Sequence, residues 1–483
     1  MRKTIEKTIN KGLKTAKKSL NTGKDVLTYP LQYPKKLTNL FMPTKQHTTP
    51  LKRSMSGYET ENFILKSDGS LDHSGKIFKL AEKKGLAVKK EAAKSMVEVI
   101  CMPHKRLSST SKDLINNLLQ LTELTEKNNG HIYPFSTYPG INKPVIQKNE
   151  WYKTQEKIFG YDKYMTAGLC CGFHQHYALP RGMFDPKTKF INYKLKSKVK
   201  KTLIDSYNLL NAVDPIFTTL LQSSPYDNCK YLAKDSRMLL YRGGKKLTYM
   251  KGKYAHHQLL GGLSPYKQTL QDLISTIKRR KTKWDSLLKK QGLDPKKHSK
   301  CGSELDFTWN PVKINAHGTL EYRGPDMNLL SVIFGMSTMM KFALREIQQN
   351  FLMVVPMDIE MKEAFTVENN MVFIPPHTTV RNELQVASAY EGFKNKDLKI
   401  YINRFYNFVK GNVLDRYRPL LKPIKQMIDN ETSISDKIVA KTKRAGYKNK
   451  ITQSYAKELS LFYSKQFIKD LEQCRDTLDK MGG

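Results

Sequence analysis

Three times along this chain, two ionisable side chains stand two residues apart inside a run of strand-forming residues. They are Glu59 and Glu61 in GYETENFIL, His174 and His176 in CGFHQHYAL, and Glu321 and Arg323 in GTLEYRGPD. In a β-strand residues i and i+2 project from the same face, so each pair emerges from one side of a sheet. Burying such a face against an apolar layer carries a high desolvation cost unless a cation compensates it. The fold must therefore leave these faces lining a cavity, turning to solvent, or meeting opposite charge. A fourth segment, EAAKSMVEVICM, adds Glu91 and Glu98 to the same inventory.

The surrounding pattern alternates irregularly between the two periodicities. Strand-like runs occupy 58–66, 95–102, 167–178 and 317–322. Helical periodicity marks 112–124, through Leu114, Ile115, Leu118, Leu119 and Leu121, and further stretches around 203–221, 270–288 and 329–347. Strands interrupted by long helices of unequal spacing predict an α+β fold rather than a regular βαβ repeat. From Lys396 onward the chain is lysine-rich and helix-periodic. Three regions follow: 1–53 as a basic tail and linker, 54–395 as the core, and 396–483 as a helical C-terminal region. Within the tail, Ile5, Ile9, Leu13 and Leu20 fall near one helical stripe among lysines. That is a basic amphipathic helix, which either adsorbs to anionic lipid or nucleic acid or is simply solvated. Pro30, Pro34, Pro43 and Pro50 mark the linker that follows.

Lys and Arg number 83 against 44 Asp and Glu, a formal net charge of +39. Such a field favours polyanions, whether nucleic acid, acidic lipid or phosphorylated small molecules. The lysines are spread throughout, and no RNP, zinc-finger or helix-turn-helix signature accompanies them. Hydrophobic residues at 39% exclude a disordered chain. The 6 cysteines contain no C-x-x-C pair, which argues against structural zinc and a disulfide framework and for a reducing, cytoplasmic setting. The most apolar stretch, 327–344, is broken by Ser, Thr and Lys341, so it reads as a buried helix rather than a membrane span, and no signal-peptide core is seen.

Taken singly, each pair is compatible with a solvated strand face or a packed histidine pair. If the faces converge, the ligand set is oxygen-dominated with one or two imidazoles, which suits Mg²⁺ or Mn²⁺. Divalent ions on a sheet flanked by arginines are what phosphoryl chemistry needs, since metals bridge phosphate oxygens while guanidinium forks neutralise charge. Arg237, Arg242 and Arg323 are the candidate forks, with ion pairing as their ordinary alternative. A hydrolase using the same residues to activate water is a further reading, but it leaves the Asp-Ser-Arg and G-T-x-E-x-R segments unexplained.

These segments resemble a known family. CGFHQHYALP is similar to the C-G-x-H-V-H strand of the second glutamate–cysteine ligase family, the carboxylate–amine ligases of the glutamine synthetase superfamily. LLQSSPYDNCKYLAKDSRMLLYR resembles its Ser-Ser-Pro-[Tyr/Phe] stretch and Asp-Thr-Arg…Arg element, here Asp235, Ser236, Arg237 and Arg242. HGTLEYRGPD resembles its G-T-[VL]-E-x-R-x-x-D signature through Gly318, Thr319, Glu321, Arg323 and Asp326. Gly57, Glu59 and Glu61 match its opening G-x-E-x-E strand, and Glu91, Val97 and Glu98 the element after it. The order and spacing agree across roughly residues 55 to 350, with weaker similarity beyond.

The resemblance implies a mainly antiparallel, glutamine synthetase-like sheet forming an open funnel, flanked by helices. It implies ATP with two or three Mg²⁺ or Mn²⁺ ions, held by Glu59, Glu61, Glu91, Glu98, His174 and Glu321. It further implies that Arg323, Arg237 and Arg242 contact phosphate or substrate carboxylate, with Lys313 also on the nucleotide side. The implied reaction phosphorylates a carboxylate, typically the γ-carboxylate of glutamate, and joins it to an amine such as cysteine, as in glutathione biosynthesis; a homodimer is possible in such a family. Cys170 and Cys171 read as small buried residues rather than nucleophiles. Two departures stand out: Gln175 replaces the usual Val between the histidines, and before the G-T-x-E signature, where the family commonly has an Arg-Pro pair, WNPVKIN offers only Lys313 nearby, a point charge that cannot reproduce a bidentate fork. The competing reading is a nucleic-acid- or polyanion-binding protein on a ligase-like scaffold.

Overall fold

Seven segments build the main sheet of the computed structural model, which describes residues 54–195, 197–298, 303–305 and 307–481. The basic helix read over 2–20, its lipid or nucleic-acid contacts and the linker to residue 53 lie outside the described residues. In chain order the strands are β1 (Ser56–Lys66), β2 (Val88–Lys90), β3 (Met96–Ile100), β4 (Gly130–Tyr133), β5 (Phe173–Ala178), β6 (Val312–Asn315) and β7 (Thr319–Tyr322). Their spatial order is β6-β7-β5-β1-β3-β2, with β4 also paired to β1. All these pairs are antiparallel. The length of β1 lets it pair with β5 through Ser56–Thr60, with β3 through Glu59–Phe63 and with β4 through Phe63–Lys66.

The principal helices are α1 (Leu107–Glu126), α2 (Glu150–Phe159), α3 (Ser197–Leu220), α4 (Ser236–Tyr241), α5 (Leu270–Lys290), α6 (Leu330–Asn350), α7 (Lys396–Asn412) and α8 (Gln453–Lys480). Helix α6 is apolar nearly all round and buried, as its sequence predicts. Its Lys341 donates to the Ser56 hydroxyl at 3.1 Å and to the Lys105 carbonyl at 2.9 Å, so a charge inside an apolar helix is satisfied by backbone and hydroxyl oxygens. No helix among the described residues is long and apolar enough to cross a membrane.

The α+β class and the expected helices are present, and β2, β4 and β6 are strands the sequence did not announce. The strand read from residue 167 begins only at Phe173, because Thr166–Gly168 form a tight helical turn held through Asn142, whose side chain donates to the Gly168 carbonyl at 3.2 Å. Helix α1 begins at Leu107, five residues before its apolar stripe, because the Thr110 hydroxyl donates to the Arg106 carbonyl at 3.2 Å and so finds a partner within the first turn. A small separate sheet, unread in the sequence, pairs Met353–Pro356 with Met371–Ile374 in parallel.

The two faces of the main sheet differ as the spacing requires. One carries Tyr58, Phe173, Tyr177 and Leu320 into the core, where Tyr58 meets Phe173 and the α6 residue Phe334. Gln175 lies on this face, fully buried, and donates to the Ser337 carbonyl at 3.3 Å. The polar residue in the valine position is thus accommodated by the backbone of α6.

Candidate active site

The opposite face is assembled by strand register. Across β1 and β5, Glu59 stands opposite His174; across β1 and β3, Glu61 stands opposite Glu98. Across β7 and β5, Glu321 stands opposite His176, and across β6 and β7 Lys313 stands opposite Glu321. Lys89 of β2 stands opposite Glu98. Cross-strand partners share a face, so these registers lay Lys313, Glu321, His174, His176, Glu59, Glu61, Glu98 and Lys89 side by side. The three pairs read from sequence therefore do converge. Glu91 joins them from the loop before β3.

Two groups in this row place their ligand atoms within 4.8 Å of one another: Glu59, Glu98 and His174, and Glu61, Glu91 and Glu98. Glu98 belongs to both. His174 Nδ1 lies 3.2 Å from Glu59 Oε2. Burial and the nearby Arg323 push its imidazole down to about 4, so the ring is neutral near pH 7. Donation from Nδ1–H to Glu59 then leaves Nε2 as a bare lone pair, buried, without a hydrogen-bond partner and 3.5 Å from Glu61 Oε1. An orphaned imidazole nitrogen among carboxylate oxygens fits a divalent ion, and the donor set suits Mg²⁺ or Mn²⁺.

The carboxylates divide by environment. Burial alone would raise Glu59, but hydrogen bonds with His174 and His176 hold it well below the usual range. Burial would likewise raise Glu321, and Lys313 and Arg323 outweigh it. Glu61 is lifted by burial to about 7 against the pull of Arg237 and Arg323. Burial and repulsion from Glu61 and Glu98 push Glu91 well above its ordinary value, and burial and Glu59 raise Glu98. Like charges left without a nearby cation are what divalent-ion binding relieves. His176 moves up because its bond to Glu59 and the charge of Glu321 overcome burial; its Nδ1 lies 2.8 Å from the Thr319 hydroxyl.

Glu321 is in the row but outside both groups. Its oxygens are held by Arg323 Nη1 at 2.9 Å, by the Asn315 amide and by Lys313 Nζ at 3.6 Å. Arg323 lies over the Trp309 ring and keeps a buried Nε without a hydrogen-bond partner.

The row floors a cavity of about 440 Å³. The rest of its lining is largely aromatic: Trp151 and Tyr152 from α2, Tyr241 from α4, Tyr254, Trp284 from α5, and Trp309. Tyr241 and Trp309 stack with centroids 4.7 Å apart. Lys253, buried among the rings of Phe159, Tyr164, Tyr241 and Tyr254, donates to Gln155 at 2.8 Å and also lines the cavity. Sequence reading missed this wall, Lys253 and Lys89. Trp151, Trp284 and Trp309 are the chain's 3 tryptophans and all line one cavity, so the rarity of that residue type was the available signal.

Two of the expected arginines are held by the protein's own groups. Arg242 is 1% exposed and does not line the cavity; its guanidinium grips Asp214, with Nη2 to Oδ1 at 2.8 Å, and Gln385. Arg237 is 2% exposed and donates to the carbonyls of Gly324 at 3.0 Å and Pro325 at 2.9 Å. Its fork is occupied by backbone because the 323–326 loop turns directly over it. Gly172 makes room: a Cβ there would lie 2.1 Å from Arg237 Nη2. Asp326 accepts from the Ser223 amide at 2.9 Å and the Ser224 hydroxyl at 2.6 Å. The Ser-Ser-Pro, Asp-Ser-Arg and Gly-Pro-Asp segments thus meet as a buried support beneath Arg323. Cys170 and Cys171 are buried, and burial raises both thiols well above their ordinary value, so neither is a poised nucleophile.

No protein-family model and no curated protein sequence matches the chain. Solved structures do. A bifunctional glutathione synthetase from Pasteurella multocida matches with a TM-score of 0.53 at 14% identity, over 90% of this chain and 54% of that one, so this chain spans about half of its length. The glutamate–cysteine ligase of Francisella tularensis, in complex with AMP, matches with a TM-score of 0.53 at 13% identity, over 90% of this chain and 94% of that one. The likeness is one of fold: the chain shares its fold with these two ligases.

Proposed function

We propose that this chain is an ATP-dependent carboxylate–amine ligase that activates the γ-carboxylate of glutamate as an acyl phosphate and joins it to an amine such as cysteine, a step of glutathione biosynthesis. The observation that carries the reading is the meeting, in one cavity, of two ion-fitting carboxylate groups that share Glu98 with an arginine whose Nε has no hydrogen-bond partner. The fold shared with a glutamate–cysteine ligase that binds AMP supports it. On this reading residues 54–395 are the catalytic core, and the cavity is the funnel through which nucleotide and acid meet.

A carboxylate is a poor acyl donor until it is phosphorylated, and both reactants are anions. Bound Mg²⁺ or Mn²⁺ supplies the positive charge that lets phosphate oxygens approach the acid. Glu59, Glu61, Glu91, Glu98 and the Nε2 of His174 are the groups to hold it. Arg323, kept in place by Glu321, offers a preorganised donor to phosphate or substrate carboxylate, and Lys313 and Lys253 add charge along the same cavity. The stacked Tyr241–Trp309 pair and its neighbours exclude water, which would otherwise consume an activated acid.

The test is ADP release from ATP with Mg²⁺ or Mn²⁺ and L-glutamate, with and without L-cysteine and a panel of other amines. Cysteine-dependent release with a matching γ-glutamyl product supports the reading; release with another amine keeps the chemistry and changes the substrate. No release with any pair overturns it. Glu59→Gln and Glu91→Gln are expected to abolish release while remaining folded, because each removes a candidate ion ligand rather than a packing group.

A further inference from the structure

The carboxylates of the cavity are not equally in want of a cation. Lys89 Nζ lies 2.9 Å from Glu59 Oε1 and 3.1 Å from Glu98 Oε1, bridging two members of the Glu59–Glu98–His174 group. Its position is imposed by the backbone, since Lys89 is the cross-strand partner of Glu98, and Glu98 that of Glu61. Glu321 is closed in the same way by Lys313 and Arg323. Among the described residues, Glu61 and Glu91 alone in this row have no lysine or arginine within ion-pair distance; beside Glu61 lies His174, its Nε2 3.5 Å from Oε1. The lining as a whole carries as many basic as acidic side chains, Lys89, Lys90, Lys253, Lys313 and Arg323 against five glutamates. A cavity designed to be neutralised wholly by metal would not need them.

We propose that Lys89 is a tethered cation that holds the Glu59–Glu98–His174 position in the nucleotide-free protein, leaving Glu61–Glu91–Glu98 as its one divalent-ion site. The inference rests on the reading of these carboxylates as ion ligands given above. An ammonium in contact with two of the three ligands of the Glu59–Glu98–His174 group repels an incoming dication there and ties up two of its donors, whereas it touches only Glu98 of the Glu61–Glu91–Glu98 group. The flexible stem, about half exposed, keeps the lysine displaceable rather than structural.

The experiment counts Mn²⁺ bound to the full-length protein without nucleotide, by electron paramagnetic resonance of free Mn²⁺ and by calorimetry. The wild type is compared with Lys89→Met, which keeps the stem and removes the charge, and with Lys89→Arg, which keeps the charge. One ion per chain is expected for the wild type and Lys89→Arg, and two for Lys89→Met. Glu91→Gln in the wild-type background should lose the single ion. Two ions in the wild type, or one in Lys89→Met with its fold intact by circular dichroism, overturns the role of Lys89 and leaves the ligase reading standing. No Mn²⁺ in any variant overturns the ion-ligand reading together with it.

Discussion

Glu61→Gln should stabilise the metal-free protein at alkaline pH while weakening its hold on a divalent ion. Burial lifts Glu61 from an ordinary 4.5 to about 7 in the folded state, partly opposed by Arg237 and Arg323. The folded protein therefore holds this proton more tightly than the unfolded chain, and the stability that confers is lost as pH rises through about 7. The gap from 4.5 to about 7 is worth about 3 kcal/mol at full ionisation, of which about 1.3 kcal/mol falls between pH 6 and pH 8. Glutamine keeps the acceptor that receives the Gly172 amide and never ionises, so that share of the slope vanishes. Urea unfolding in EDTA at the two pH values measures it: wild type should lose about 1.3 kcal/mol more than Glu61→Gln on going to the higher pH. In Mn²⁺ most of the gap at the higher pH should close, because an ion at about 100 times its Kd stabilises the wild type by about 2.7 kcal/mol and the variant by much less. Parallel pH slopes in EDTA, or equal stabilisation of both proteins by Mn²⁺, would refute the reasoning that this carboxylate is buried for the sake of a cation.

Three further outcomes follow from the arginines and their support. Arg242→Met should cost about 3–5 kcal/mol, because it strands Asp214 in a fully buried setting; a variant of unchanged urea midpoint but lost ADP release would return Arg242 to a substrate role. Arg323→Lys should leave the midpoint within about 1 kcal/mol and lower ADP release by about a hundredfold, since a point charge cannot reproduce the fork; wild-type release by Arg323→Lys would exclude it from the chemistry. Gly172→Ala should cost several kcal/mol, on the order of an overpacked core site, because its Cβ meets the Arg237 guanidinium at 2.1 Å; a midpoint equal to wild type would show that Arg237 is free to move.

The i, i+2 pairs made half of this site legible in the sequence, because strand geometry alone puts each pair on one face. Which pairs lie opposite which could not be read, since register is a property of the folded sheet and not of any one strand. Lys89 escaped for a related reason: β2 is three residues long, VKK, and offers no alternation to detect. The aromatic wall escaped because its members are spread from Trp151 to Trp309 and meet only in three dimensions. The pairing of Arg242 with Asp214 had a signal in the sequence. Asp214 stands in the apolar helical run NLLNAVDPIF, where an acid buried on all sides demands a counter-ion, and Arg242 supplies it.

The three arginines singled out from sequence turn out to act one behind another. Arg242 neutralises Asp214 deep in the core, and the Tyr322 hydroxyl donates to that same carboxylate at 3.1 Å, tying the end of β7 to α3. Arg237 then fixes the carbonyls of Gly324 and Pro325, and Asp326, gripped by Ser223 and Ser224, closes the turn. Only after these contacts does Arg323 emerge into the cavity with its side chain 21% exposed. Charged groups that never touch a substrate are therefore part of what makes one guanidinium stand still, and a donor that does not reorganise when charge develops is worth far more than a mobile one. This is why the support should be separable from the chemistry by experiment: changes at Arg242 and Gly172 register first in stability, and changes at Arg323 first in turnover.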